Sequence, residues 1–166
     1  MFSWIPIHLE LAEKLREYKN KSHELIEVLQ KMKAAGLLTL NFTDAKEDGK
    51  PYPFIDPFTF MAGFNRGILD SNRIKLWEFT KDEFQLNSEV PKDFHGIPLV
   101  NNQSVCFFPW EVNIDQINTL WAFFEQMLEA DPESLDLDLM QSCLEIPYTG
   151  VSKLTMGMFW FKPNTW

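Results

Sequence analysis

Cysteine is nearly missing from this chain: Cys106 and Cys143 are the only two. Two thiols without a secretory leader do not make a disulfide framework, so both are expected to be reduced, small and buried in their apolar runs. Met1–Pro6 is too short and too uncharged for such a leader. Histidine is scarce as well. His8, His23 and His95 are scattered, no two of them show the i, i+4 spacing of a metal-binding helix, and there is no Cys-x-x-Cys. No run approaches the roughly 18 to 20 apolar residues that a membrane span needs. The expected address is the cytoplasm, with no membrane partner.

Catalytic signatures are lacking too. There is no Gly-x-Ser-x-Gly, and neither cysteine has a histidine nearby in sequence. The one Gly-Lys pair, Gly49-Lys50, runs into Pro51 and lacks the rest of a phosphate-binding loop. Asp131, Glu133, Asp136 and Asp138 lack the spacing and the glycine of a calcium loop, and read instead as a solvated helix start. No catalytic residue, metal ligand or cofactor is therefore assigned to this segment. His95, beside Gly96 in an irregular stretch, is the histidine with some claim on a site, in a small-ligand or enzymatic reading that also draws on nearby rings.

A basic excess is missing. Net charge is −9. Residues 76–145 hold 14 acids against Lys81 and Lys92, whereas residues 146–166 carry Lys153 and Lys162 and no acid. Such a balance excludes a sequence-blind nucleic-acid coat. It permits a local basic face built from residues 66–75 and 150–162.

Large apolar side chains are abundant. Apolar residues make up 45% of the chain, and the aromatics include 15 Phe and 6 Trp. That suffices for the core of a single domain over residues 1–166, with rings to spare for a pocket or a partner surface. Ile7, Leu11 and Leu15 form a helical stripe from about Ile5 to Tyr18. A second helix is expected from a cap at Ser22 to about Ala35, with Gly36 behind it. Asp56-Pro57 opens a short helix closed by Gly67, and Asp70 or Ser71 caps another to about Phe84. Residues 87–110 show no period. Helices then follow from about Ile114 to Asp131-Pro132, from Ser134 to about Leu144, and from Val151 to Phe161. The expected fold is mainly α, with about seven helices, a helix-hairpin-helix-like turn near the C-terminal end and one irregular aromatic segment.

Three segments are candidate sites. Asn65, Arg66, Asn72, Arg73 and Lys75 cluster with glycines at helix ends, where such groups hold phosphates or base edges. The alternative is local: an acid capping a helix and an arginine paired beside it. Ile146-Pro147-Tyr148-Thr149-Gly150-Val151-Ser152-Lys153 resembles the turn of a helix-hairpin-helix, with Gly150 at the second glycine and Tyr148 replacing the first. Gly150, Ser152 and Lys153 would face a phosphate, although similar hairpins also serve as plain core. Phe107, Phe108 and Trp110 would stack on a base, or else pack inside.

Several strings together resemble the N-terminal region of GTPase subunits in McrB-like, modification-dependent restriction systems. They are Trp4-Ile5-Pro6-Ile7, Asp56-Pro57-Phe58-Thr59-Phe60, Gly63-Phe64-Asn65-Arg66-Gly67, Gly96-Ile97-Pro98 and Ser152-Lys153-Leu154-Thr155-Met156-Gly157-Met158-Phe159-Trp160. The resemblance implies an N-terminal fragment of a longer defence protein. This segment would then target DNA, modified DNA included, and a GTPase module would follow it. A separate nuclease subunit would be the partner, and oligomers would form through the later module. The acidic balance favours a second reading, an assembly module that meets a partner subunit through the acidic face of residues 111–138.

Overall fold

A computed structural model describes residues 2–40, 42–44, 49–101 and 113–166. Among them are seven α-helices and one two-stranded ribbon. Helix α1 (Ile5–Leu15) buries Ile7, Leu11 and Leu15 as its periodicity requires, then tightens into a 3₁₀ turn over Arg16–Tyr18. Helix α2 (His23–Ala34) ends at Gly36, whose φ of 73° lets the Gly36 amide reach the Lys33 carbonyl and the Leu37 amide reach that of Met32. That double closure satisfies carbonyls the helix itself leaves orphaned. Ser22 stands at the head of α2 but does not cap it. Its hydroxyl instead accepts the Ile55 amide at 3.2 Å, tying α2 to the strand-like approach to α3.

The ribbon pairs β1 (Thr43–Asp44) with β2 (Lys50–Pro51), antiparallel, with Thr43 opposite Pro51. Helix α3 (Pro57–Ala62) starts at Asp56, whose Oδ1 accepts the Thr59 amide at 2.9 Å. It stops five residues short of Gly67, and all six of its residues are buried. Helix α4 (Asp70–Phe84) begins ahead of both expected caps, Asp70 and Ser71: Leu69 is the cap residue, and Asp70 lies in the first turn as a charge favourable to the helix dipole. Helix α5 (Ile114–Glu129) is capped by Asn113. Helix α6 (Leu137–Leu144) is capped by Asp136 rather than opened by Ser134. Ser134 closes the turn behind α5, where its amide and hydroxyl both donate to Asp131 Oδ1. Helix α7 (Gly150–Phe161) is the last of the seven.

The core forms around α3. The Phe58 ring meets Phe123, Phe124 and Phe161 at centroid distances of 6.2, 6.0 and 5.8 Å, and Phe60 meets Phe64 and Phe84 at 5.4 and 6.0 Å. Helices α5 and α7 flank α3, α1 packs on α7, and α2 leans on α4. Three indoles tie irregular backbone to this core through their N–H groups. Trp121 donates to Ile55 at 2.9 Å, Trp160 to Pro98 at 2.8 Å and Trp4 to His95 at 2.9 Å. Residues 85–101 therefore keep a defined path without regular structure. No helix among the described residues is long and apolar enough to cross a membrane.

Gly157 makes the α3–α7 approach possible, because a Cβ there would lie 2.6 Å from Phe58 Cδ1. Gly157→Ala gains helix propensity but overpacks a fully buried ring. The expected net loss is about 1–2 kcal/mol, read as a lower denaturant midpoint.

Candidate nucleic-acid interface

The α6–α7 hairpin is built by backbone conformation. Behind Leu144 the Ile146 amide donates to the Cys143 carbonyl and the Thr149 amide to that of Ile146. Tyr148 and Gly150 both take left-handed φ values, 70° and 63°. Between them Thr149 is buried, as is Ile146, while Pro147, Tyr148, Gly150, Val151 and Ser152 are exposed. Tyr148 thus adopts the conformation that a first glycine would supply without strain. A Cβ on Gly150 would meet nothing within 4 Å, so the turn opens onto solvent. Helix α7 starts with no side-chain cap and no acid in its first turn. Its leading N–H groups and the positive end of its dipole face outward, an arrangement that suits an anion. Lys153 Nζ donates to the Tyr148 carbonyl at 2.8 Å, which holds the ammonium over the turn.

The residues 65–75 divide between two roles. Arg73 corrects the expectation of a phosphate grip: it is only 2% exposed, and its Nε and Nη2 donate to the carbonyls of Phe64 and Arg66 at 3.0 and 2.8 Å. Its guanidinium also lies 4.9 Å from the Phe94 ring and 3.7 Å from Asp70 Oδ1. Burial lowers its pKa, and Asp70 offsets part of that. Arg73 therefore caps the backbone behind α3 and is not available to an outside ligand. Asn65 is a second correction, being fully buried with no hydrogen bond to either side-chain amide atom. Its carbonyl accepts the Val100 amide at 2.9 Å beside a parallel bridge from Arg66 to Val100. Arg66 and Lys75 are brought together in a hollow of about 320 Å³ with Asn72, the second asparagine of that stretch. Asn72 and Lys75 are three residues apart on α4, a spacing that alone would have placed them on one face. Phe107, Phe108 and Trp110 lie outside the described residues.

Other candidate groups have internal partners. Lys162 donates to the Leu128 and Ala130 carbonyls at 2.8 and 2.5 Å, closing the C-terminal end of α5. Glu125 and Glu129 pair with Lys19 and Arg16. Asp131 is held below the usual carboxylate range by hydrogen bonds from Ser134 and Glu133. Among the described residues no cluster of three or more His, Cys, Asp or Glu could hold a metal. Cys143 is buried, and desolvation, helped by the charge of Asp56, pushes its thiol up to about 12. It is an unreactive packing residue at ordinary pH. His95 is exposed, and its amide donates to Asp93 in a local turn.

The architecture defines a helical domain with an aromatic core and an outward-facing helical hairpin. The chain belongs to the family described as Domain of unknown function (DUF8425), whose model matches residues 4–166. No curated protein and no solved structure matches it.

Two buried groups make stability respond to pH in opposite senses. Burial lowers the His8 pKa to about 3, aided by the Arg73 charge and opposed by the bond between Nδ1 and the Trp160 carbonyl. Burial raises that of Asp56 to about 6, against the hydrogen bonds at its cap. Below its unfolded pKa His8 takes up a proton only on unfolding, so its contribution is lost as pH falls. Asp56 is protonated in the fold but not in the unfolded chain between pH 4 and 6, so its contribution is lost as pH rises. The two slopes cancel in that window. Asp56→Asn keeps a cap but removes one slope, so from pH 6 to 4 the variant's unfolding free energy should fall more steeply than the parent's, by about 1.4 kcal/mol per unit. Equal profiles in denaturant titrations would exclude this account. At the hairpin, Tyr148→Gly should stabilise and Gly150→Ala destabilise, each by about 1 kcal/mol, because both sites are left-handed.

Proposed function

We propose that this domain binds the DNA backbone through the α6–α7 hairpin, as the targeting module of a McrB-like restriction GTPase in the cytoplasm. The observation that carries the reading is the pair of left-handed residues, Tyr148 and Gly150, around buried Thr149 at the uncapped start of α7. A phosphate oxygen set against Gly150 would receive N–H groups from the first turn of α7, with Ser152 and Lys153 beside it. No base edge is read by such contacts, which position the protein and leave specificity to other residues. The role is recognition, with the chemistry left to a GTPase module and a nuclease partner.

The net charge of −9 limits this binding to a few contacts. Each neutralised phosphate steepens the salt dependence by about 0.9 in log–log slope, so the expected slope is shallow, roughly −2 to −3. Glu145, next to the turn and exposed, works against it.

A second reading has its own observation. Helix α6 buries only Cys143 and leaves Leu137 68% exposed among acids. A partner subunit with a basic, apolar segment suits that face, and association would then survive nuclease treatment.

Fluorescence anisotropy with short duplexes, modified and unmodified, at low salt separates the two. The hairpin reading predicts saturable binding that weakens with salt and falls about tenfold in Ser152→Glu/Lys153→Glu, with circular dichroism unchanged. Absence of binding at low salt, or binding indifferent to that pair of changes, would overturn it.

A further inference from the structure

Among the buried polar atoms with no hydrogen-bond partner in the described residues, four belong to three residues that one chain of contacts joins. They are His8 Nε2, Trp77 Nε1 and both amide atoms of Asn65. All three residues are fully buried. Such orphans are rare, because a buried donor or acceptor that gives up bulk water needs another partner.

The contacts close on themselves. The His8 ring lies 4.7 Å from that of Trp77, and the Trp77 ring 5.2 Å from that of Phe64, the residue before Asn65. The Asn65 carbonyl accepts the Val100 amide at 2.9 Å. Two positions earlier, Pro98 accepts the Trp160 indole N–H at 2.8 Å, and the Trp160 carbonyl returns to His8 Nδ1 at 2.9 Å. Helices α1, α4 and α7, the turn after α3 and the segment 98–100 thus meet around one interior region. Arg73, one turn before Trp77 on α4, directs its guanidinium to the carbonyls of Phe64 and Arg66 instead.

Valence decides what fits. A backbone carbonyl only accepts, so His8 Nδ1 carries the ring proton and Nε2 is left as an acceptor. The Trp77 indole only donates, and the Asn65 amide does both. The His8 and Trp77 rings do not satisfy each other. At an interplanar angle of 33° they overlap face on face, whereas the lone pair and the N–H lie in the ring planes. An anion would oppose the Nε2 lone pair, and a cation would oppose the indole N–H. A neutral molecule that both accepts and donates suits the set, and water is the smallest. About six buried waters are expected in a chain of 166 residues.

We propose that an internal water is bound here, accepting the Trp77 indole N–H and donating to His8 Nε2 and to the Asn65 side-chain oxygen. It links α1, α4 and the turn after α3 from the inside, and needs no contact with DNA.

Nuclear magnetic resonance on the whole chain tests this. Selective excitation of water should give the assigned Trp77 indole proton a cross-peak whose sign in the rotating frame is that of dipolar transfer, not of chemical exchange. Asn65→Leu, close in volume, should abolish that cross-peak and lower the denaturant midpoint, because Trp77 and His8 lose the residue that holds their water. In a dry interior the same change would delete two orphan atoms and raise the midpoint. Absence of the cross-peak in the parent, its persistence in Asn65→Leu, or an unchanged or raised midpoint overturns the proposal. The hairpin is untouched by this substitution, so the DNA reading stands or falls separately.

Discussion

Phe58 lies against α7 where Gly157 has no side chain, and that contact sets the relation of the two candidate surfaces. The ring is enclosed by Phe123, Phe124 and Phe161, so α5 and the far end of α7 are positioned by the same residue. The near end of α7 is the hairpin. Trp160, on the same helix, donates to Pro98 and accepts from His8 through its carbonyl. The segment containing Pro98 reaches Val100, which pairs with Asn65 and Arg66. A shift in the α3–α7 packing would therefore move the hairpin and the margin of the Arg66 hollow together, since close-packed cores transmit displacement rather than absorb it.

Buried polarity in this protein is mostly structural. Arg73 spends its charge on backbone carbonyls left open where α3 ends, and Ser22 spends its hydroxyl on the approach to α3. Asp56 caps α3 at the cost of a charge held away from water. His8 remains neutral between Trp4 and Trp77, with centroids 4.9 and 4.7 Å away. Desolvation of an unpaired charge is worth several kcal/mol, so these groups stay where hydrogen bonds or neutrality offset it. Internal partners thus take up part of the positive charge of a chain that is acidic overall.

The helices were largely legible from the order of residues. The stripe Ile117, Leu120, Trp121, Phe124 and Met127 describes α5 and its buried face, and Asp56-Pro57 marks the start of α3 with its cap. Errors fell on capping. Ser22, Ser134 and Asp70 are all competent caps by residue type, yet none caps a helix here. Each had a competing partner or a neighbour one or two positions away, and a one-residue choice among polar groups is decided by geometry that residue identity does not carry. The site was less legible. Arg66 and Lys75 do share a hollow, but Arg73 and Asn65, of the same chemical type and in the same stretch, are buried. That Asn72 joins Arg66 and Lys75 depends on the segment behind α2, which completes the wall.

Periodicity, composition and turn residues by themselves determined that this chain is a helical domain with an aromatic core and a glycine-bearing hairpin, because helix faces and backbone φ preferences are local properties. Tertiary structure alone decided which cations face solvent, which loop meets which helix, and that Tyr148 takes a glycine's conformation. Those outcomes depend on which side chains the packed core leaves room for, and that is set by residues distant in the chain.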